Sequence, residues 1–582
     1  MKRRIGRRDL LKGGSALLLG TLLHDSVKGQ TRGQALRPNR TSYYSLECKW
    51  ITKTIDGHQV RLRSYNGQVP GPILRTKPGD TLRVHLKNSL TYYDSAGWNG
   101  DHNIPHFLNT TNLHVHGLDV VPHLFQPQGT SNPLARMIAI EPGGKYDYTF
   151  QIPHDHPPGL YWYHSHHHGS TAVQAGSGMA GGIIIHGNID EVPEIKAARD
   201  IPLVLQDIAL FQSETDDKLW LYEPKQNAIW QTFGGIVTIY DPATGKNNPV
   251  QLKGGFSTGD YPLHYYMLNG EAFLKETHNP DPKKPTSPIA TQLQPVARYT
   301  LAPGEVVRFR MLNACTDNLM PIVVENHPVY LLALDGINFP TVQPIGIPLN
   351  PSTPQLLLAP ANRAEFLIKA STTPGIYKIK QLEQKQQFIE SAPKTIAEIE
   401  VKGSPRDMPL PQTLPTPTRY YPLIQPSQVQ RVRTLQFIGN FPAVMNPYVG
   451  GDFSINNALY EETAVPNVVT LGDVEEWHIQ VGNAHHGGSE GHPFHIHVNH
   501  FEVISIQAAG QKTPTMLPPG TIKDTIWVPE NTTVVIRTKF KQFVGKAVYH
   551  CHILPHEDTG MMANFLIVPQ RGSSKGASGK HG

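Results

Sequence analysis

Cysteine is scarce in this chain: 582 residues hold three, Cys48, Cys315 and Cys551. Three thiols form at most one bridge, which excludes a disulfide framework. No C-x-x-C occurs, and a thiolate-rich zinc site is excluded with it. Charge is sparse too, 17% of residues, with a net +5 spread along the chain rather than gathered into a tract. A nucleic-acid footprint would need clustered Lys and Arg. Long apolar runs are missing near the N-terminus, where residues 15–23 fall well short of the roughly 20 that a bilayer span takes. Gly and Pro are abundant, 51 of each. The length exceeds what one hydrophobic core supports, and a rough prior is three or four domains of about 150 residues.

The short apolar run lies in GRRDLLKGGSALLLGTLLHDSVKG, residues 6–29, behind the pair Arg7-Arg8. Basic residues followed by a short apolar core read as an export signal. The arginine pair resembles a twin-arginine signal, whose route exports proteins already folded. Residues 1–29 are assigned to it, with a weak cleavage match at Lys28-Gly29. The expectation is an exported protein, periplasmic or extracellular, with the twin-arginine machinery as partner. No nucleic acid and no stable membrane span of the mature chain are expected. Export implies an oxidising compartment, yet disulfides cannot account for Cys551.

Internal repetition gives the organisation. KPGDTLRVHLKN (77–88) and APGEVVRFRMLN (302–313) share an entry through Pro-Gly-acid, alternating apolar residues and a closing Asn, and TLGDVEEWHIQVGN (470–483) is a looser third copy. A second shared strand starts at glycine in each third: GLYWYHSH from Gly159, GIYKIKQL from Gly375 and GKAVYHCH from Gly545. Short strands at regular intervals between Gly/Pro turns predict an all-β chain of three β-sandwiches. Domains are placed at 40–190, 191–410 and 411–570, the second boundary in GSPRDMPLPQTLPTPT. Residues 571–582, RGSSKGASGKHG, are low-complexity and expected to be disordered.

The repeat separates chemistry from scaffold. The first third carries His114-Val115-His116 and His164-Ser165-His166; the last carries His492-Pro493-Phe494-His495-Ile496-His497 and His550-Cys551-His552. At the places that match by sequence, the middle third has His327-Pro328-Val329-Tyr330-Leu331-Leu332 and Lys380-Gln381-Leu382. A site shared by the first and last thirds follows. Residues i and i+2 of a strand point to one face, so each His-x-His pair presents two imidazoles together. His102, His106, His123, His154, His156, His167, His168, His485, His486 and His500 are read as surface or supporting groups. Imidazole alone suits several metals, but a thiolate with two imidazoles and a weak thioether is the donor set of a blue-copper electron-transfer site. Cys551, His556 and Met561 lie on one short stretch, with His492 supplied by a neighbouring strand. His550 and His552 then face away from that site into the histidine cluster, and the tether joins the two.

HVHG, HSH, HPFHIH and HCHILPHEDTGM, in this order over residues 45–570, resemble the multicopper oxidases, the family of laccases, bilirubin oxidases and bacterial copper-efflux oxidases. The resemblance implies three cupredoxin-like Greek-key sandwiches and four coppers per chain. It assigns His492, Cys551, His556 and Met561 to type 1 copper, and His114 and His495 to type 2. His116, His164 and His552 would bind one type 3 ion, and His166, His497 and His550 the other. It implies a laccase-like oxidation of phenols or aromatic amines coupled to reduction of dioxygen to water. Glu557, directly after His556, is the candidate proton donor. The aspartate that many relatives carry beyond HVHGLDVVP is missing, because this chain reads HLFQPQGTSNP with Phe125, Gln126 and Asn132. The alternative is a metallo-oxidase for Cu(I) or Fe(II), ranked second because no methionine-rich insert appears. A copper nitrite reductase would not need both histidines around Cys551, and a non-catalytic cupredoxin scaffold would have lost ligands that this chain keeps.

Overall fold

Alternation along the first repeated strand gives one face to a core. In Thr81–Asn88 the side chains of Leu82, Val84 and Leu86 are buried while Arg83 and Lys87 are exposed. Its counterpart in the last third, Val474–Val481, alternates in the same way. The middle copy, Val306–Asn313, which lies between the strands Arg199–Gln212 and Arg363–Lys369, is buried throughout because both its faces are covered: Val307, Phe309 and Met311 lie in the sandwich core, while Val306 packs with Ile189, Ile195, Met408 and Leu414. Its Arg308 and Arg310 are therefore buried charges, and both pair with Glu365 and Asp190, as buried guanidinium groups must.

The computed structural model describes residues 40–92, 100–213, 215–222, 236–241, 246–251, 263–277, 289–386, 389–440, 452–482 and 491–570. The assigned signal, the tail at 571–582 and the loop with His485 and His486 lie outside the described residues. Those that are described are mostly strand, with helices of about one turn such as Thr171–Ala175 and Leu554–Asp558. None of the described helices is long and apolar enough to cross a membrane.

Each third buries one core between two sheets, as three β-sandwiches do. In the first, Leu82, Val84 and Leu86 meet Tyr161, Tyr163 and Ile183. In the middle, Phe309 and Phe366 meet Ile322, Ile379 and Ile399. In the last, Trp477, Ile479 and Ile536 meet Phe494, Tyr549 and Phe565. The first two thirds share a thirteen-stranded sheet, because the short strand Leu219–Leu221 pairs with both His58–Tyr65 and Arg199–Gln212. The chain from Met408 to Pro415 stays on the middle third: Met408 and Leu414 pack on Val306 and Leu367, and Asn338 donates to Pro415 O at 2.7 Å.

Strand pairing corrects one equivalence drawn from sequence. The strand beside Gly375–Gln381 is Met320–Val324, with Val323 opposite Lys380, whereas His495 stands opposite His550 and His114 opposite His164. The counterpart of His492-Pro493-Phe494-His495-Ile496-His497 is thus Met320-Pro321-Ile322-Val323-Val324-Glu325. His327 closes the turn that follows, with its N–H donating to Val324 O; its shared His-Pro dipeptide was misleading because Pro321 is the true match to Pro493. The middle third still offers no histidine at these places.

Candidate metal centres

Two adjacent strands and one turn build the first centre. His492 opens the strand His492–Ile496, and Cys551 closes Gly545–Cys551, whose register puts Cys551 opposite Phe494. Pro555 helps start the short helix Leu554–Asp558, which brings His556 back to them. Cys551 Sγ lies 3.6 Å from His492 Nδ1 and 3.7 Å from His556 Nδ1, and the two nitrogens are 3.3 Å apart. A point equidistant from three such atoms is about 2 Å from each, the length of a bond between a transition metal and a protein donor. Burial holds the His492 imidazole down at about 3 and His556 well below its ordinary value, so both are neutral with lone pairs to offer. The Ile553 N–H donates to the sulfur at 3.4 Å, and the Phe453 ring stacks on His556 at 3.7 Å. Met561 is fully buried in the apolar cluster that holds Cys551, while Met562 packs in a separate cluster with Phe125 and Val548. The two neighbouring thioethers therefore face different surroundings.

The second centre gathers eight imidazoles from the first and last thirds, all buried. Donor atoms come together in three groups, the first two sharing His116: His114, His116 and His495; His116, His164 and His552; His166, His497 and His550. The two thirds interdigitate there, with His116 stacked on His495 at 3.9 Å and His114 on His497 at 4.0 Å. Backbone carbonyls fix several rings: His164 Nδ1 donates to Ser165 O at 2.7 Å, His550 Nδ1 to Cys551 O at 2.9 Å and His495 Nδ1 to Asp524 O at 2.8 Å. Such bonds set the tautomer and leave the other nitrogen as acceptor. His114 Nε2, His116 Nδ1, His164 Nε2, His495 Nε2 and both nitrogens of His552 have no hydrogen-bond partner among the described residues. A buried polar atom left unmade costs about 1–3 kcal/mol, so a cluster of them marks a metal site. Burial depresses all eight pKa values.

Other buried histidines contrast with these. His123 accepts from Val115 N–H at 3.1 Å and donates to Val121 O at 3.2 Å; His156 accepts from Asp119 N–H at 3.0 Å and donates to Pro157 O at 2.9 Å. His123 also faces His114 Nδ1 at 3.1 Å, which makes it a support for that ring.

Two carboxylates border the cluster. Glu557 is fully buried with Oε1 3.2 Å from His166 Nδ1 and Oε2 3.3 Å from His550 Nδ1. Burial, with Asp558 beside it, raises its pKa well above the ordinary range. Asp558, raised to about 7, accepts from the N–H groups of Gly169 and Ala172. On the opposite side stands a group missed from sequence, Asp524, whose Oδ1 is 3.2 Å from His116 Nε2. It comes from the last third, 29 positions beyond His495, and no spacing rule points to it. Cys48 and Cys315 are free and buried, each in a different core.

Family models described as "Multicopper oxidase" match residues 47–107, 104–189 and 427–571. Among similar proteins, "Multicopper oxidase mco" of Staphylococcus haemolyticus is 23% identical over 507 residues, 87% of this chain and 83% of its own. A "Laccase" of Bacillus stratosphericus is 24% identical over 557 residues, 91% of this chain and 95% of its own. In fold the chain is similar to the structure titled "Multicopper oxidase from Campylobacter jejuni: a metallo-oxidase", with TM-score 0.64, 22% identity and 93% of each chain covered. Three sandwiches, a Cys-His-His site and an eight-histidine cluster fit type 1, type 2 and type 3 copper. The chain belongs to the multicopper oxidase family and is a copper-dependent oxidoreductase that uses dioxygen as acceptor.

Proposed function

We propose that the protein is a laccase-like oxidase of phenolic or aromatic-amine substrates. In this reading His492, Cys551, His556 and Met561 hold type 1 copper, and His114 and His495 hold type 2. His116, His164 and His552 hold one type 3 ion, and His166, His497 and His550 the other. Copper bound there would take single electrons from the reductant, and four such oxidations, with four protons, would balance the reduction of one dioxygen to two waters. The chain's own contribution begins with the tether: Cys551 lies in one centre while its covalent neighbours His550 and His552 each lie in one of the three-histidine groups of the other. Glu557 is placed to hold a proton beside His166 and His550, at the two distances given above. Neighbouring backbone turns fix ring directions so that little reorganises during turnover.

What favours an organic reductant is where the methionines are. Met137, Met179, Met267, Met311, Met320, Met408, Met561 and Met562 are buried in cores, and Met516 is the single exposed methionine among the described residues. Soft Cu(I) selects thioether ligands, and no group of them faces solvent among those residues. Steady-state kcat/KM on a panel of phenols, aromatic amines, bilirubin, Cu(I) and Fe(II) tests the reading. Phenols and aromatic amines are expected to lead; a clear preference for Cu(I) or Fe(II) would establish the metallo-oxidase instead. Export is a further part of the reading, supported by Arg7-Arg8 ahead of the short apolar run. Lysine at both positions should retain the protein in the cytoplasm, and unchanged export would contradict it.

A further inference from the structure

The third of the chain without ligands sends one side chain to the edge of the histidine cluster. Arg363 opens the strand Arg363–Lys369 and is fully buried. All five of its N–H donors are used. Nε donates to Leu160 O of the first third at 3.2 Å; Nη1 to Ala361 O at 3.1 Å and Asp524 Oδ1 at 2.9 Å; Nη2 to Asp335 O at 2.9 Å and Asp524 Oδ2 at 2.6 Å. One guanidinium thus joins all three thirds, and it grips Asp524 with the fork that Arg offers and Lys lacks.

Asp524 in turn touches both halves of the cluster. Its Oδ1 lies 3.2 Å from His116 Nε2, and its backbone carbonyl accepts from His495 Nδ1 at 2.8 Å. These are the two rings that stack across the thirds at 3.9 Å. The clasp also explains the glycine of HVHG. A Cβ on Gly117, whose φ is +81°, would collide with Arg363 Nη2 and Asp524 Oδ2. The glycine is there because the ion pair passes against it.

We propose that Arg363 is a positioning residue for the three-copper cluster, read most directly at type 2 copper: by locking Asp524 it fixes the directions of His495, a type 2 ligand, and of His116, a type 3 ligand, so a domain without ligands sets the geometry of the cluster. This rests on the ligand assignment above. Groups that orient metal-bound histidines are worth about 10–100-fold in metal affinity.

The test uses purified holoprotein and Arg363→Lys, which keeps the charge but cannot fork. Copper content, type 1 absorbance and the EPR signals of type 1 and type 2 copper are measured during titration with a chelator. The variant should keep its type 1 signal, show shifted type 2 hyperfine values and lose type 2 copper at chelator concentrations lower by ~10-fold or more. Wild-type type 2 parameters and chelator resistance in the variant would overturn the proposal, as would equal loss of both signals, which marks general loosening. Should the lysine variant fail to fold, the neutral pair Arg363→Gln with Asp524→Asn leaves no buried charge unpaired, and the same selective change is required of it. A wild-type protein lacking type 1 and type 2 signals would instead sink the ligand assignment itself. Intact wild-type signals with an unaltered variant sink the clasp alone.

Discussion

His497 and His550 face each other at 3.3 Å inside the cluster; at the corresponding places of the middle third, Glu325 and Lys380 form an ion pair at 2.8 Å. The correspondence is exact in the backbone, since Glu325 N–H donates to Lys378 O as His497 N–H donates to Val548 O. The same two strands thus carry a pair of cluster histidines in one sandwich and a partly exposed salt bridge in another. What separates them is satisfaction. Glu325 and Lys380 complete each other, and His327 nearby donates to Glu325 O at 2.7 Å and accepts from Ser371 N–H at 3.0 Å. Around the His497–His550 contact, His114, His116, His164, His495 and His552 are sealed from water with nitrogens unspent among the described residues. A repeated fold need not repeat its chemistry, and the unspent nitrogens show where it does.

The largest effect on that contrast should come from the residue that joins the centres. Cys551→Ser is expected to abolish both the blue thiolate-to-copper band and turnover, read by absorbance and oxygen consumption. A colourless variant with full activity would contradict the tether. His495→Ala should keep the blue band yet stop oxygen reduction, because its nitrogen belongs to the cluster alone. Next in size is Glu557→Gln, which keeps shape but removes the acidic proton. General acid catalysis contributes about 10²–10⁴-fold, so oxygen reduction should slow by about that factor at unchanged copper content. Unaltered turnover would leave Glu557 a structural carboxyl.

Most of this was legible in the sequence because ligand sets are local: His-x-His on a strand, and Cys551, His556 and Met561 within eleven positions of one another. The three sandwiches were legible because each repeats a Gly-entered strand. Two things were hidden. The middle third's counterpart strand keeps only Pro321 of the six-residue motif, so His327 offered a better sequence match than the true partner in the sheet. Asp524 and Arg363 meet through tertiary contact across 161 positions, and neither carries a motif. The missing aspartate beyond HVHGLDVVP made that side look bare of carboxylate, whereas Asp524 reaches it from the last third.

Smaller effects sharpen the comparison further. Met561→Leu conserves volume, which usually costs under about 1.5 kcal/mol. It should stay blue with a raised type 1 potential, since a weak axial thioether tunes that potential. A potential that rises in Met562→Leu and not in Met561→Leu would reverse the assignment. Smallest of all should be Lys380→Met in the middle third: a partly exposed ion pair is worth ~0–1 kcal/mol, and copper content should not change. Loss of copper there would break the contrast between the thirds.

Copper quantitation of the wild-type holoprotein, with its EPR spectrum, reaches the centre of the comparison most directly. Four coppers per chain are expected, one type 1, one type 2 and an EPR-silent pair, all removed from the cluster but not from the blue site by His495→Ala with His497→Ala. One or two coppers per chain in the wild type, or a cluster that keeps its three ions in that double variant, would contradict it.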